Sequence, residues 1–357
     1  MIAMTRRNTS TLYASLLAIA ASSLTFAFGG DGDEPEERRL TVKQDPGKIF
    51  YWVLPGHREI DPKVFGTPPN LNEDVLLETK IERAKELVEQ GKMPHTVPEL
   101  LKNLPPLVGL PKAWWDEGND KIVKKNDKYI LQQHTFFPDM SIPVIGGGEK
   151  QNSFKLTYID RTAEDRPGLP VDTEDEIELD MEFHDPDGNK YELDIFHVLM
   201  PPLPGYDTRG GVMIDNWHHG ETGTGSPLMP KVYNYGAYWA IGRLSINGGP
   251  PMIRITHGMT TEVVRDKNYA LATTEELPLA PENRINPKKS HHTHIVVVPV
   301  KPTADGPVYA PFKTAYTVPM GPLKGKKQPY IHLMWEDEDI VSGQEHLKDM
   351  PDHLEAD

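Results

Sequence analysis

The stretch His291-His292-Thr293-His294-Ile295-Val296-Val297-Val298 places three histidines directly before four consecutive apolar, β-branched residues. Such a run predicts a buried β-strand with histidines at its start. Successive side chains of a strand alternate between its two faces, so His292 and His294 point the same way and His291 points the other way. Two imidazoles on one face can bind one metal ion. His292 and His294 are therefore predicted metal ligands, and His291 is predicted to be dispensable.

Short strands without intervening helices follow one another over residues 150–335. Residues 176–183 and 191–195 alternate between apolar and polar side chains around a turn at 184–189, which predicts a β-hairpin. Further strands are predicted at 153–159, 237–246, 252–256, 294–300, 313–318 and 329–335. The pattern predicts a mainly β fold, an antiparallel β-sandwich or barrel, with a cupredoxin-like sandwich among the options.

The N-terminus has the features of an export signal. Arg6 and Arg7 precede an apolar stretch that ends near the small residue Ala27, a suitable cleavage position. The signal is of the Sec type or the twin-arginine type. We expect the mature protein to be periplasmic or secreted, with no stable membrane insertion after cleavage.

The chain is expected to have five parts, of which the β domain is the largest. Residues 72–90 carry the clearest helical pattern, and a second short helix is predicted to begin at Thr96. The N-terminal segment is therefore expected to be a helical, Pro-rich extension packed on the sheet. The parts are a signal peptide (1–27), an acidic linker (28–47), the N-terminal extension (48–149), the β domain (150–335) and an acidic tail (336–357).

Composition excludes several classes of function. The chain has no cysteine, so disulfides, thiolate zinc sites, iron–sulfur clusters and blue-copper centres with a thiolate ligand are excluded. The formal net charge of −15 disfavours binding to phosphate backbones, so no nucleic-acid partner is expected.

The histidines are concentrated in the predicted β region, where eight of the 14 lie between residues 197 and 332. Loop 215–225 and strand end 256–260 carry histidines that a sandwich could bring to the same rim as 291–294. The predicted metal ligands are His218, His219, His257, Met259, His292 and His294. By contrast, His197 and His332 are interpreted as structural residues of apolar strands.

Three functions fit these residues. The first is an exported protein that binds copper through imidazoles and the Met259 thioether, for metal handling or redox chemistry. This set resembles the thiolate-free copper sites of cupredoxin-type domains. The second is a secreted zinc-dependent hydrolase or lyase, in which the metal lowers the pKa of bound water to about 7 and Glu221 is the general base. The third is a non-catalytic envelope protein with structural histidines.

Overall fold

In the computed structural model, β-strands are the main regular structure of the described residues. The described residues are 37–60, 81–82, 85–86, 88–90, 122–126, 128–135, 138–146, 152–161, 173–199, 211–219, 222, 230–273, 275–303 and 306–354. The strands are β1 (Arg38–Gln44), β2 (Ile49–Val53), β3 (Gly56–Ile60), β4 (Ile122–Lys125), β5 (Lys128–Thr135), β6 (Ser141–Ile145), β7 (Ser153–Asp160), β8 (Glu176–His184), β9 (Lys190–Val198), β10 (Val212–His218), β11 (Val232–Ile246), β12 (Met252–Glu262), β13 (His291–Val297), β14 (Val300–Thr303), β15 (Gly306–Tyr309), β16 (Ile331–Trp335) and β17 (Asp339–Ser342). Short 3-10 turns lie at Pro281–Asn283, Gln344–His346 and Asp352–Leu354.

One large antiparallel sheet dominates the fold. Its strand order is β17-β1-β7-β8-β9-β11-β12-β13-β16-β2-β6, and β10 pairs with the free end of the long strand β11. The sheet curls into a half-barrel. The predicted mainly β, antiparallel fold is thereby confirmed. Two small sheets, β14-β15 and β3-β5-β4, accompany it in the described residues.

The predicted hairpin is present as β8 and β9, and local chemistry explains its turn. The Asp185 carboxylate accepts hydrogen bonds from the backbone N–H groups of Asp187 (3.0 Å) and Asn189 (2.9 Å). Gly188 adopts φ +84°, a conformation that costs glycine little. Asp185 also accepts a hydrogen bond from the Tyr191 hydroxyl (2.9 Å), which joins the turn to the core.

Aromatic side chains fill one side of the curled sheet. The Phe50 ring stacks on Trp335, with centroids 4.5 Å apart, and Trp52 lies 5.4 Å from Tyr191. The Trp52 indole donates a hydrogen bond to Gln328 Oε1 at 2.9 Å, so its only polar group is satisfied. Each fully buried aromatic ring of this kind contributes on the order of 2–3 kcal/mol. Because side chains alternate along β16, Met334 lies on the opposite side of the sheet from Trp335.

The sheet extends beyond the β domain expected from the sequence. Strand β1 begins within the segment expected to be a linker, and β2 and β6 lie within the expected N-terminal extension. Strand β17 lies in the expected acidic tail and pairs with β1. The ladder partners that hold these strands are distant in sequence, which explains why local patterns do not reveal them.

Most of the predicted N-terminal helices lie outside the described residues. Helical backbone is described at 81–82, 85–86 and 88–89, within the helix expected over 72–90. The signal peptide and the helix expected from Thr96 are not among the described residues. Within the part of the chain that is described, no helix has the length and apolar character needed to cross a bilayer.

Two glycines of the sheet allow tyrosine rings to lie directly on the backbone. A Cβ atom at Gly258 would lie 2.4 Å from Cε1 of Tyr238, and one at Gly236 would lie 2.7 Å from Cδ2 of Tyr158. Both tyrosines are fully buried. Gly258 stands between His257 and Met259, so the close packing of Tyr238 fixes the strand that carries these two side chains.

Gly258→Ala is therefore expected to lower the free energy of unfolding by about 1–3 kcal/mol, because the added methyl group overpacks the Tyr238 ring. Urea unfolding monitored by circular dichroism would measure the loss. Ser245→Ala, on the half-buried end of β11, is the control and is expected to change stability by less than about 0.5 kcal/mol. Equal effects of the two substitutions would contradict this packing.

Candidate metal centre

Histidine and methionine side chains gather on the side of the sheet opposite the aromatic core. In the ladder, Met259 pairs with His294, and His294 pairs with Met334. Directly paired residues of antiparallel strands point to the same face. We call this surface the histidine face. Its members are Trp239 on β11, His257 and Met259 on β12, His292 and His294 on β13, and His332 and Met334 on β16.

The imidazole rings are close enough to share an ion. The His294 ring centroid lies 5.5 Å from that of His257 and 5.5 Å from that of His332. Metal–nitrogen bonds are about 2.0–2.1 Å long, so two imidazoles that share one ion have centroids at most about 6.4 Å apart. Both measured separations lie below this limit.

Hydrogen bonds fix the tautomer of two of these histidines. The Nδ1 atom of His257 donates to the backbone carbonyl of Tyr238 at 2.7 Å, since a carbonyl oxygen can only accept. The Nδ1 atom of His292 lies 3.2 Å from Glu336 Oε1. Both contacts leave the lone pair at Nε2, the atom that would bind a metal. Metal-binding histidines characteristically hold their second nitrogen in this way.

His292 presents the clearest unsatisfied group. The residue is 0% exposed, and its Nε2 atom is buried without a hydrogen-bond partner. A buried polar atom of this kind costs free energy unless it finds a partner. A metal ion would supply one, and the carboxylate of Glu336 would increase the basicity of the ring.

Burial keeps the imidazoles of His257 and His294 neutral. Burial lowers the pKa of His294 well below its ordinary value, and the nearby rings of His332, His257, His292 and His219 lower it further. Burial also lowers the pKa of the His257 imidazole to about 4, against the opposing effect of its bond to Tyr238. Neutral imidazole is the form that binds metals, so these rings need no deprotonation at neutral pH.

Two thioethers flank the central histidine. Met259 and Met334 are the ladder neighbours of His294 on either side, and both are buried. Met259 also packs against Met213 and Ala237. The indole of Trp239 stacks on the His257 ring, with centroids 4.4 Å apart and planes 21° apart. The face thus offers imidazole nitrogens and thioether sulfurs beside a covering aromatic ring.

The predicted ligands fall into two groups in the structure. His257, Met259, His292 and His294 lie on the histidine face, within the paired strands β12 and β13. His219, at φ +66° after β10, lines a small cavity together with His294 and Met334. His218 ends β10, and its ring packs 5.8 Å from that of His219. Glu221, the expected general base, lies outside the described residues.

Sequence reasoning missed two members of the face. His332 was interpreted as a structural residue, yet its ring lies 5.5 Å from His294. Met334 follows it by two positions, so the alternation of β16 places both on one side. The alternation of His332-Leu333-Met334 can be read from the sequence. Only the pairing of β16 with β13 shows that His332 and Met334 lie beside the histidines of β13.

The histidine face is not a complete, preformed set of histidine and carboxylate ligands. Across the described residues, no three histidine, aspartate or glutamate side chains are placed to hold one ion. The candidate site consists instead of imidazoles that approach in pairs, with Met259 and Met334 as the ladder neighbours of His294.

The depressed histidine pKa values predict a pH-dependent stability for the metal-free protein. The pKa of a histidine in the unfolded chain is near 6.5, whereas burial lowers the pKa of His257 in the folded protein to about 4. Below pH 6.5 the unfolded chain binds more protons, so stability should fall between pH 6.5 and 4. The difference between these two pKa values sets an upper limit of about 3 kcal/mol on the contribution of His257. The contribution is smaller than this limit because the residue is partly exposed to solvent.

Urea unfolding between pH 7.5 and 4.5 in the presence of a chelator would measure this loss. His257→Asn keeps an N–H donor near the Nδ1 position but removes the titrating imidazole. The free energy of unfolding of this variant should therefore fall less at acidic pH than that of the wild type. His346→Asn, in the 3-10 turn Gln344–His346, is the control and should behave like the wild type. An identical acid response of His257→Asn and the wild type would contradict the assignment.

Comparison with known protein families, with curated proteins and with solved structures finds no match to this chain. The function must therefore be argued from the histidine face itself.

Proposed function

We propose that this protein is exported and binds a single copper ion, preferably Cu(I), on the histidine face, for metal handling or redox chemistry. The observation that carries the proposal is His294, which has Met259 and Met334 as its ladder neighbours and the His257 ring centroid 5.5 Å from its own. The Nδ1 atom of His257 donates to the Tyr238 carbonyl, so its Nε2 atom keeps the lone pair. Such a pre-set tautomer is characteristic of histidines that bind metals.

The choice of copper rests on the mixture of ligands. Thioether sulfur is a soft ligand and favours Cu(I), while imidazole suits copper, zinc and iron alike. Met259 and Met334 flank His294 directly in the ladder, so a methionine side chain neighbours His294 on each side. The alternative ion, zinc, would have little use for either sulfur.

Low exposure of the ligands also supports a soft, weakly hydrated ion. His294, Met259 and Met334 are 5%, 1% and 2% exposed. An ion bound there gives up its water, and the buried neutral imidazoles add no positive charge to oppose it. Zinc bound as a catalyst would instead need an open position for water.

Metal analysis of the full-length mature chain tests the proposal. With Cu(I) and Zn²⁺ offered together, we expect copper at about one ion per chain. Substituting His294→Phe or Met259→Leu should weaken Cu(I) binding at least about tenfold in competition with a Cu(I) chelator, the smallest effect typical of altered metal sites.

Two matched substitutions control for unspecific effects. Met252→Leu lies on the same strand as Met259 but packs on the aromatic core, and His197→Phe lies on β9. Both should bind copper as the wild type does. Preference for zinc over copper would favour the hydrolase or lyase alternative, and binding of neither metal would reject a metal function.

Export is the second part of the proposal and rests on residues 1–27. Arg6, Arg7 and the apolar stretch up to Ala27 are the features that support it. Intact-mass measurement of the protein from the extracytoplasmic fraction should give a chain that begins close to residue 28. Retention of the first 27 residues in all of the mature protein would contradict cleavage.

A further inference from the structure

A third methionine extends the row of side chains that crosses the histidine face. Met213 on β10 pairs with Ala237 on β11, and Ala237 pairs with Met259 on β12. Met259 in turn pairs with His294 on β13. Directly paired residues of antiparallel strands point to the same face, so Met213 also lies on the histidine face. It is not among the ligands predicted from the sequence.

The small side chain of Ala237 allows the two methionines to approach each other. Strands β10 and β12 both pair with β11, so they are two strand spacings apart, about 10 Å. A large side chain on β11 would separate residues across this distance. With alanine between them, Met213, Ala237 and Met259 form one buried packing cluster. Two thioethers therefore lie on the same side of His294.

The remaining methionine of the face has different neighbours. Met334 lies on the other side of His294, on β16, and packs with Val53 and Tyr269. Met259 is thus the methionine that both pairs with the histidine and packs with a second methionine. Methionine is unbranched and adaptable, so a small rotation of either side chain in this cluster can turn its sulfur toward an ion.

We propose that Met213 is a ligand of the copper site, so that Cu(I) is bound by the thioethers of Met213 and Met259 and the imidazole of His294. The inference rests on the proposed function, whose ligand set it completes. Thioether sulfur is a soft ligand that selects Cu(I), and a second thioether strengthens this preference over zinc.

The charge of this ligand set also favours a monovalent ion. Met213, Met259 and His294 are 4%, 1% and 5% exposed, and thioethers carry no charge. Burial lowers the pKa of His294 well below its ordinary value, so its imidazole is neutral as well. An ion bound by three neutral ligands keeps its full charge, and the cost of burying an uncompensated charge is large. This cost is smaller for a monovalent ion than for a divalent one.

Equilibrium metal binding by the full-length mature protein tests the role of Met213. Ag(I) is the first probe because it is a soft monovalent ion that keeps one oxidation state, and Cu(I) without oxygen is the second. Met213→Leu nearly conserves side-chain volume and removes the sulfur. It should weaken the binding of both ions at least about tenfold in competition with a chelator. Met252→Leu, which packs on the aromatic core, is the control and should bind both ions as the wild type does.

X-ray absorption at the copper edge counts the sulfur neighbours of the bound ion. The Cu(I)-loaded wild type should show two sulfur neighbours, and Met213→Leu should show one. Met334→Leu should keep both, because Met334 is not in the proposed ligand set. Loss of a sulfur in Met334→Leu but not in Met213→Leu would overturn the inference.

The outcomes for Met213 and for the proposed function are separable. A wild type that binds neither ion would reject copper binding, and the role of Met213 with it. Equal affinities and equal sulfur counts for the wild type and Met213→Leu would overturn the role of Met213 and keep the proposed function. Without metal, Met213→Leu and Met252→Leu should unfold at the same temperature, so that lost packing does not account for lost binding.

Discussion

The pairing register of β12, β13 and β16 is the constraint on which the histidine face depends. Met259, His294 and Met334 form one row across three strands because their backbones are paired in that register. The other face of the same strands carries apolar core residues such as Ile295 and Leu333. A slip of one residue would put His294 among aromatic rings and expose the core, so packing of the core enforces the geometry of the candidate site.

Burial then determines the chemical state of the face. Desolvation holds the His257 and His294 rings neutral, and fixed acceptors hold the tautomers of His257 and His292. The large aromatic core on the opposite side of the sheet offsets the free-energy cost of burying these polar rings.

Local patterns in the sequence predicted the features that depend on local physics. Alternation placed His292 and His294 on one face, and the turn residues after His184 predicted the β8–β9 hairpin. Pairing between distant segments could not be predicted in this way. Nothing near His332 indicates that β16 lies beside β13, and nothing near Arg38 indicates that β1 lies between β7 and β17.

The strand order also has a consequence for the timing of folding. Strand β2 pairs with β16, and β1 pairs with β17, so the two ends of the sheet each join segments from opposite ends of the chain. Such non-local pairings carry a large loop-closure entropy and form slowly. His332 and Met334 belong to β16, so the histidine face is complete only after nearly the whole chain has been synthesised. A nascent chain therefore lacks the full set of side chains of the candidate site.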